Sequence, residues 1–279
     1  MKSTASISGS VESFDSTNLY YMKDMTKNPR AIVVIVHGFG EHLGKYEYIK
    51  NKLNEFGYGV YRFDNRGHGR SGGKRGYVNT FKDFVKDTDV FIEFVKGENP
   101  GIPIFMLGHS MGGFITASYG IMFKNRIDGQ ILSSAGTMEP IQVRGVKGKF
   151  YKLINRIVPK LYIKNPLIRD IPRDKEAIDI YERQDLDLRS LTLNFGVQFL
   201  IYGIGWLRQN YGDYYYPCLI LHGSDDKIME KEASIQFHSS ISSTDKQIKI
   251  YDGLRHEMLK CKDRDMVLDD IGKWIEQRI

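Results

Sequence analysis

GHSMG, residues 108–112, places one serine between two glycines directly after the apolar run of residues 104–107. The apolar run predicts a buried strand, and the residues that follow the motif favour a helix. A tight turn between strand and helix leaves little room for side chains two residues before and after the serine, and glycine meets that need. The turn presents the hydroxyl of Ser110 at a helix N-terminus, so we expect Ser110 to be a nucleophile.

Five further runs of β-branched and apolar residues follow the same pattern, each ending near a glycine-rich or polar turn. They lie at residues 31–36, 59–63, 130–132, 218–221 and 247–250. Stretches with a helical period, such as residues 81–95 and 267–275, lie between or after these runs. Continuous apolar strands that alternate with helices indicate an α/β fold with a mostly parallel central sheet flanked by helices on both faces.

One long segment interrupts this alternation. Residues 137–210 contain no clear strand and are frequently basic or aromatic. We therefore predict a core formed by residues 1–136 and 211–279, with a helical cap, or lid, inserted at residues 137–210.

The last two predicted strands end in residues that could activate the serine. A serine hydroxyl is a weak nucleophile that needs a general base, and the base needs an orienting acid. HGSDD at residues 222–226 offers Asp225 or Asp226 as the acid, and YDGLRHE at residues 251–257 offers His256 as the base. The resulting order of serine, aspartate and histidine along the chain is typical of a serine hydrolase on such a sheet.

Two backbone N–H groups are the expected donors to an oxyanion. One belongs to Met111, which follows the nucleophile, and the other should come from the loop after the first predicted strand, HGFGEH at residues 37–42. We predict Phe39 as that second donor, because a glycine on each side lets the loop turn tightly.

These motifs, together with FDNRGHGRSGG at residues 63–73, resemble the monoacylglycerol lipase and lysophospholipase branch of the α/β-hydrolase superfamily. The resemblance runs from about Arg30 to the C-terminus. It implies the α/β-hydrolase fold, and it implies Asp226 rather than Asp225 as the acid, because the family's acid follows the HG pair after two residues. It also assigns the oxyanion donors to Phe39 and Met111. Residues 173–181 are similar in style to the family's helical cap.

The resemblance further implies a serine ester hydrolase that cleaves monoacylglycerols or lysophospholipids through an acyl-enzyme. We expect no metal or organic cofactor, and no nucleic-acid partner. A short-chain or aromatic carboxylesterase of the feruloyl type, on the same scaffold, is the alternative enzyme. A ligand-binding member of the fold without catalysis is the alternative outside enzymes.

The composition is that of an ordinary globular protein with a mild basic excess. The 40 Lys and Arg against 34 Asp and Glu give a formal charge of +6, which permits but does not require attraction to an anionic surface. Two cysteines make no disulfide framework, and the first residues lack the apolar stretch of a secretion signal. No run is long enough to span a membrane, so we predict a cytoplasmic protein, with peripheral contact to a membrane as a further option.

Two stretches of the predicted cap bear on a lipid substrate. Apolar residues recur at helical spacing from Phe150 to Leu161, with four basic residues from Lys149 to Lys160 on another face. Such a helix either rests on an anionic lipid surface or packs its apolar face on the core. The second stretch, residues 195–206, is apolar and aromatic, and it either lines an acyl channel or simply packs beneath the cap.

Overall fold

The computed structural model describes residues 6–164 and 186–279, and a sheet of eight strands forms the centre of these ranges. The strands of this sheet are β1 (Ile7–Glu12), β2 (Asn18–Asp24), β3 (Ile32–Val36), β4 (Gly59–Phe63), β5 (Ile104–His109), β6 (Gly129–Ser133), β9 (Cys218–Gly223) and β10 (Lys246–Tyr251). Their order across the sheet is β1-β2-β4-β3-β5-β6-β9-β10. β2 pairs antiparallel with β1 and with β4, and the other pairs are parallel.

Helices cover both faces of the sheet. Those around the sheet are α1 (Glu47–Glu55), α2 (Phe81–Glu98), α3 (Met111–Met122), α7 (Lys231–Ser240) and α8 (Arg264–Glu276). β3 is buried along its whole length, and its side chains alternate between two apolar clusters. Ile32, Val34 and Val36 join the cluster beneath α2 and α3, whereas Val33 and Ile35 join the cluster beneath α1 and α8. This burial on both faces is why the central strands are continuous apolar runs rather than alternating ones.

The predicted fold class is confirmed, and all six predicted strands are present with slightly different ends. The hairpin of β1 and β2 was missed. The residues of β1 are intermediate or exposed, so this edge strand lacks the apolar run that marks the others.

The expectation of no strand between residues 137 and 210 is wrong. β7 (Tyr162–Lys164) and β8 (Ser190–Thr192) form an antiparallel pair within that segment. Three residues are too few to display the alternation that identifies a strand in a sequence.

The other regular elements described in that segment are helical. They are a short 3₁₀ turn (Ile141–Val143), α4 (Gly145–Ile157), α5 (Leu193–Val197), a π-helical stretch (Gln198–Gly203) and α6 (Ile204–Gln209), and a further 3₁₀ turn (Tyr211–Asp213) follows the segment. Residues 173–181, which resemble the family's cap, lie outside the described residues. The division into a core and an inserted cap at residues 137–210 stays a prediction.

α4 does not bury the apolar face that the sequence marks. Phe150, Leu153 and Ile157 are 59%, 56% and 75% exposed, so the interpretation in which they pack on the core is wrong. The buried position of α4 is Gly148 on another side of the helix, close to Val143 and Ile201. None of the helices within the described ranges is both long and apolar enough to span a membrane.

The turn from β5 into α3 brings helix and sheet into unusually close contact. A Cβ atom on Gly112 would lie 2.0 Å from the carbonyl oxygen of Val36 in β3, and one on Gly108 would lie 2.4 Å from that of Gly112. Both approaches are to backbone atoms, which cannot rotate away. These two glycines therefore let α3 start directly against the sheet.

We expect Gly112→Ala to lower the free energy of unfolding by at least about 1–3 kcal/mol, the usual cost of forcing an extra carbon into a packed interior. Urea unfolding of the purified variant measures this change. Gly97→Ala is the matched control, because Gly97 lies in α2 and a Cβ there meets nothing within 4 Å. It should leave stability unchanged or raise it by up to about 1 kcal/mol. Equal stability of the two variants would contradict the close contact.

Candidate active site

Ser110 sits in a strained backbone conformation at the tip of the turn. Its φ is +54° and its ψ is −114°, a combination that a residue with a side chain rarely adopts. The neighbouring strand β6 and the loop after it hold it there. The N–H of Ser110 donates to Ser133 O at 2.9 Å, and the carbonyl of Ser110 accepts from Gly136 N at 3.1 Å.

Asp226 and His256 form a hydrogen-bonded pair at two other strand ends of the same sheet. Nδ1 of His256 donates to Oδ2 of Asp226 at 2.7 Å, and Asp226 follows β9 while His256 follows β10. The imidazole ring of His256 lies 5.0 Å, centroid to centroid, from that of His109, the residue before Ser110. Asp225 is exposed and accepts a hydrogen bond from Ser224 instead. The structure therefore brings Asp226, not Asp225, to the histidine.

The carboxylate of Asp226 is fully buried and accepts hydrogen bonds at both oxygens. Oδ1 accepts from the backbone N–H groups of Ile228 and Met229 at 2.8 and 2.9 Å. Nε2 of His222 lies 3.2 Å from Oδ2, the oxygen that also contacts His256. Burial works against the charged carboxylate, but the hydrogen bonds from His222 and His256 outweigh it and hold the pKa of Asp226 well below its usual value.

The same pairing alters His256. Burial disfavours the imidazolium, but the hydrogen bond and the negative charge of Asp226 more than compensate, so the pKa of His256 is raised above its ordinary value of 6.5. Glu257 and Glu41 add smaller contributions of the same sign. The pair therefore favours the imidazolium of His256 relative to a free histidine.

The predicted donors Phe39 and Met111 lie where the sequence places them, after β3 and at the first residue of α3. Neither N–H has a hydrogen-bond acceptor among the residues that the structure describes. The loop around Phe39 is shaped by His37, whose Nδ1 contacts Gly38 O at 2.8 Å and whose Nε2 accepts from Asn65 N at 2.9 Å. The role of these two N–H groups as oxyanion donors stays a prediction.

Ser110 lines a cavity of about 450 Å³ whose walls are mostly apolar. Its apolar lining comes mainly from the oxyanion loop, β8, α5 and the π-helical stretch, namely Phe39, Leu191, Leu193, Phe195, Val197, Phe199, Leu200 and Ile201. The charged residues among the described lining are Lys164 and Lys227. The apolar stretch that begins at residue 195 therefore forms a cavity wall as well as packing against the core.

One cluster of metal-binding residue types occurs among the described residues, and the sequence did not reveal it. The side chains of His109, His256 and Glu257 offer ligand atoms within 4.8 Å of one another. The ammonium of Lys260 lies 3.0 Å from Glu257 and already supplies the cation at this place. These side chains form a network of polar contacts with Lys260. We therefore assign no metal site to them.

Several residues close to the site were not identified from the sequence. Nε2 of His109, the residue before Ser110, donates to Oε1 of Glu257 at 3.3 Å. The sequence marks no catalytic role for Glu41, Glu257 or Lys260. Glu41 lies within GEH, residues 40–42, and Glu257 directly follows His256. Their position beside two site motifs was the available signal.

Comparison with known proteins gives one consistent relationship. The profile of the Hydrolase_4 family, described as "Serine aminopeptidase, S33", matches residues 27–263. A monoacylglycerol lipase from Mycolicibacterium smegmatis is 30% identical over 89% of each chain. The crystal structure of a soluble variant of Saccharomyces cerevisiae monoglyceride lipase with a substrate analogue has a TM-score of 0.85 at 26% identity, covering 99% of this chain and 96% of the other. The Paleococcus ferrophilus monoacylglycerol lipase structure has a TM-score of 0.82 at 28% identity, covering 94% and 99%.

We expect Asp226→Asn to lower the pKa of His256. The substitution removes the negative charge that favours the imidazolium and leaves the desolvation that opposes it. Histidine NMR titration of wild type and variant measures both values. A wild-type pKa below 6.5, or an unchanged pKa in the variant, would contradict the electrostatic account of the pair.

Proposed function

The chain belongs to the Hydrolase_4 family of serine hydrolases, and on this premise we propose that it cleaves the carboxylic esters of single-chain lipids, monoacylglycerols or lysophospholipids. One observation carries the proposal. A serine on a strained strand-to-helix turn opens onto an apolar cavity, with a buried aspartate–histidine pair at the ends of neighbouring strands.

The predicted resemblance to the monoacylglycerol lipase branch is confirmed, and so is the predicted class of enzyme, a carboxylic ester hydrolase. The family description also names aminopeptidases. Such enzymes need an acidic group for the substrate's free amino terminus, and the described lining of the cavity contains no Asp or Glu. The chemistry of the cavity thus favours an acyl chain over a peptide.

In the proposed mechanism His256 takes the proton of Ser110 as the serine oxygen attacks the ester carbonyl. Asp226 orients the imidazole and stabilises its charged form. The N–H groups of Phe39 and Met111 bind the oxyanion, each contributing about 3 kcal/mol in the transition state. His256 then returns the proton to the leaving alcohol, and a water molecule, activated by the same histidine, hydrolyses the acyl-enzyme to a free carboxylic acid.

The size and chemistry of the cavity support a lipid acyl chain. About 450 Å³ of mostly apolar space is ample for a single medium or long chain, and Ser110 lies in its wall. The alternative, a short-chain or aromatic carboxylesterase, uses the same serine and differs in the acyl group that the cavity prefers. Chain-length preference therefore separates the two.

We also propose that α4 rests on an anionic lipid surface. Its exposed apolar residues Val146, Phe150, Leu153 and Ile157 follow helical spacing, and Lys147, Lys149 and Lys152 lie between them. Apolar insertion and attraction to anionic head groups act together on such a helix. The cytoplasmic location and the division into core and cap remain predictions.

The double substitution Phe150→Ser and Leu153→Ser should weaken binding to vesicles that contain phosphatidylglycerol. The wild type should bind these vesicles better than pure phosphatidylcholine, and less well at high salt, since lysines contribute. Co-sedimentation measures the bound fraction. Ile235→Ser is the control, because Ile235 is an exposed isoleucine on α7. A wild type that binds neither vesicle, or a double variant that binds like wild type, would refute the contact.

Ser110→Ala should abolish turnover of p-nitrophenyl butyrate and labelling by a fluorophosphonate probe, because it removes the hydroxyl proposed to attack the carbonyl. Loss of the nucleophile typically reduces kcat by about 10⁶-fold. Ester turnover and probe labelling of the purified proteins measure the effect, and a circular dichroism melt shows that the variant is folded. Residual hydrolysis near the wild-type rate would show that another residue is the nucleophile.

A further inference from the structure

We propose that Lys260 is a positioning residue of the ester-hydrolysing site, joining the loop that carries the oxyanion donor Phe39 to the loop that carries His256. This inference rests on the proposed function. Its basis is a buried series of contacts, two ion pairs and one hydrogen bond, that runs from Glu41 through Lys260 to Glu257 and His109.

The first part of this series of contacts holds the loop after β3, residues 37–42, which carries Phe39. Oε2 of Glu41 accepts from the N–H of Gly38 at 3.0 Å and from the hydroxyl of Tyr46 at 2.7 Å. The same N–H lies 3.2 Å from the Tyr46 hydroxyl. Gly38 directly precedes Phe39, so Glu41 fixes the peptide group next to the proposed donor.

The second part reaches the catalytic histidine. Lys260 contacts the other oxygen of Glu41, and its ammonium also lies 3.0 Å from Oε2 of Glu257. Glu257 follows His256 in sequence, and its Oε1 accepts from His109, whose ring lies against that of His256. One ammonium group therefore bridges two loops that are 219 residues apart along the chain.

The bridge is buried, which makes its charges matter. The side chains of Glu41 and Lys260 are 7% and 11% exposed, and the ammonium lies 4.5 Å from the ring centroid of fully buried Tyr46. Burial raises the pKa of both carboxyls, but the charge of Lys260 outweighs this effect at Glu41 and lowers its pKa to about 2. Lys260 likewise lowers the pKa of Glu257, and the two carboxylates raise the pKa of Lys260 against its burial. All three groups are thus charged across the neutral range.

The charges of Glu41, Glu257 and Lys260 also affect the electrostatic potential at the imidazole of His256. The charged groups that act on this imidazole are Asp226 from the loop after β9, Glu257 beside it and Glu41 from the loop after β3. His109 contacts its ring from the turn after β5. Lys260 screens the two glutamates, so its removal should favour the imidazolium, whereas removal of the Glu257 charge should disfavour it.

The test compares Lys260→Met, Lys260→Arg and Glu257→Gln with wild type, using soluble p-nitrophenyl butyrate from about pH 5 to about pH 9. We expect Lys260→Met to lower kcat about 10²-fold, the effect of a displaced catalytic group, with KM within about twofold. The acid limb of its pH profile should move to higher pH. Lys260→Arg should restore most of the activity, since guanidinium can contact both carboxylates.

Glu257→Gln should move the acid limb in the opposite direction, to lower pH. Opposite shifts from two neighbouring substitutions would not arise from general loosening of the fold, so this pair separates positioning from a purely structural role. Lys249→Met is the control, because Lys249 on β10 forms an exposed ion pair with Asp270 of α8. It should leave kcat and the pH profile unchanged.

A folded Lys260→Met variant with the wild-type kcat and acid limb would overturn the inference. If that variant does not fold, an unchanged acid limb in Glu257→Gln would overturn it instead. A wild type without any ester turnover would refute the proposed function and this inference together. Wild-type turnover with unaltered variants would refute the inference alone.

Discussion

The buried carboxylate of Asp226 is the constraint on which the rest of the site depends. Its two oxygens receive two backbone N–H groups and two histidines, and this saturation makes a buried negative charge tolerable. The charge then fixes the orientation and raises the pKa of His256. Without it, burial would favour the neutral form of His256.

The strained backbone of Ser110 and the titratable groups of the site lie at different strand ends of one sheet. The turn after β5 holds the unfavourable backbone of Ser110, and the loops after β9 and β10 hold the aspartate–histidine pair. The loop after β3 carries the N–H of Phe39, for which no acceptor occurs among the described residues. The carboxyl ends of parallel strands meet at one edge of the sheet. Four segments that are distant in the sequence therefore converge at that edge.

The features that could be predicted from the sequence are those that a short window contains. The strand before Ser110 and the glycines around it are local patterns, and Asp226 and His256 each lie in a short motif at a strand end. Asp226 could not be separated from Asp225 by its residue type. The resemblance to a family separated them, and burial explains the choice physically.

Other features depend on contacts that no window contains. Glu41 and Lys260 meet across 219 residues, so neither marks the other in the sequence. The helical period of α4 correctly predicts an apolar face, but a period does not tell what covers that face, and Phe150 and Leu153 are exposed. The edge strand β1 lacks an apolar run altogether.

The most direct test of the account is the rate of hydrolysis of three esters by the same enzyme preparation: monooleoylglycerol, trioleoylglycerol and p-nitrophenyl acetate. A serine that opens onto an apolar cavity for one acyl chain predicts the highest kcat/KM on monooleoylglycerol, with little turnover of trioleoylglycerol. Equal rates on the mono- and triacylglycerol would contradict selection of a single chain. A maximum on the acetate with no lipid turnover would leave the serine in place and assign the enzyme to the general carboxylesterases.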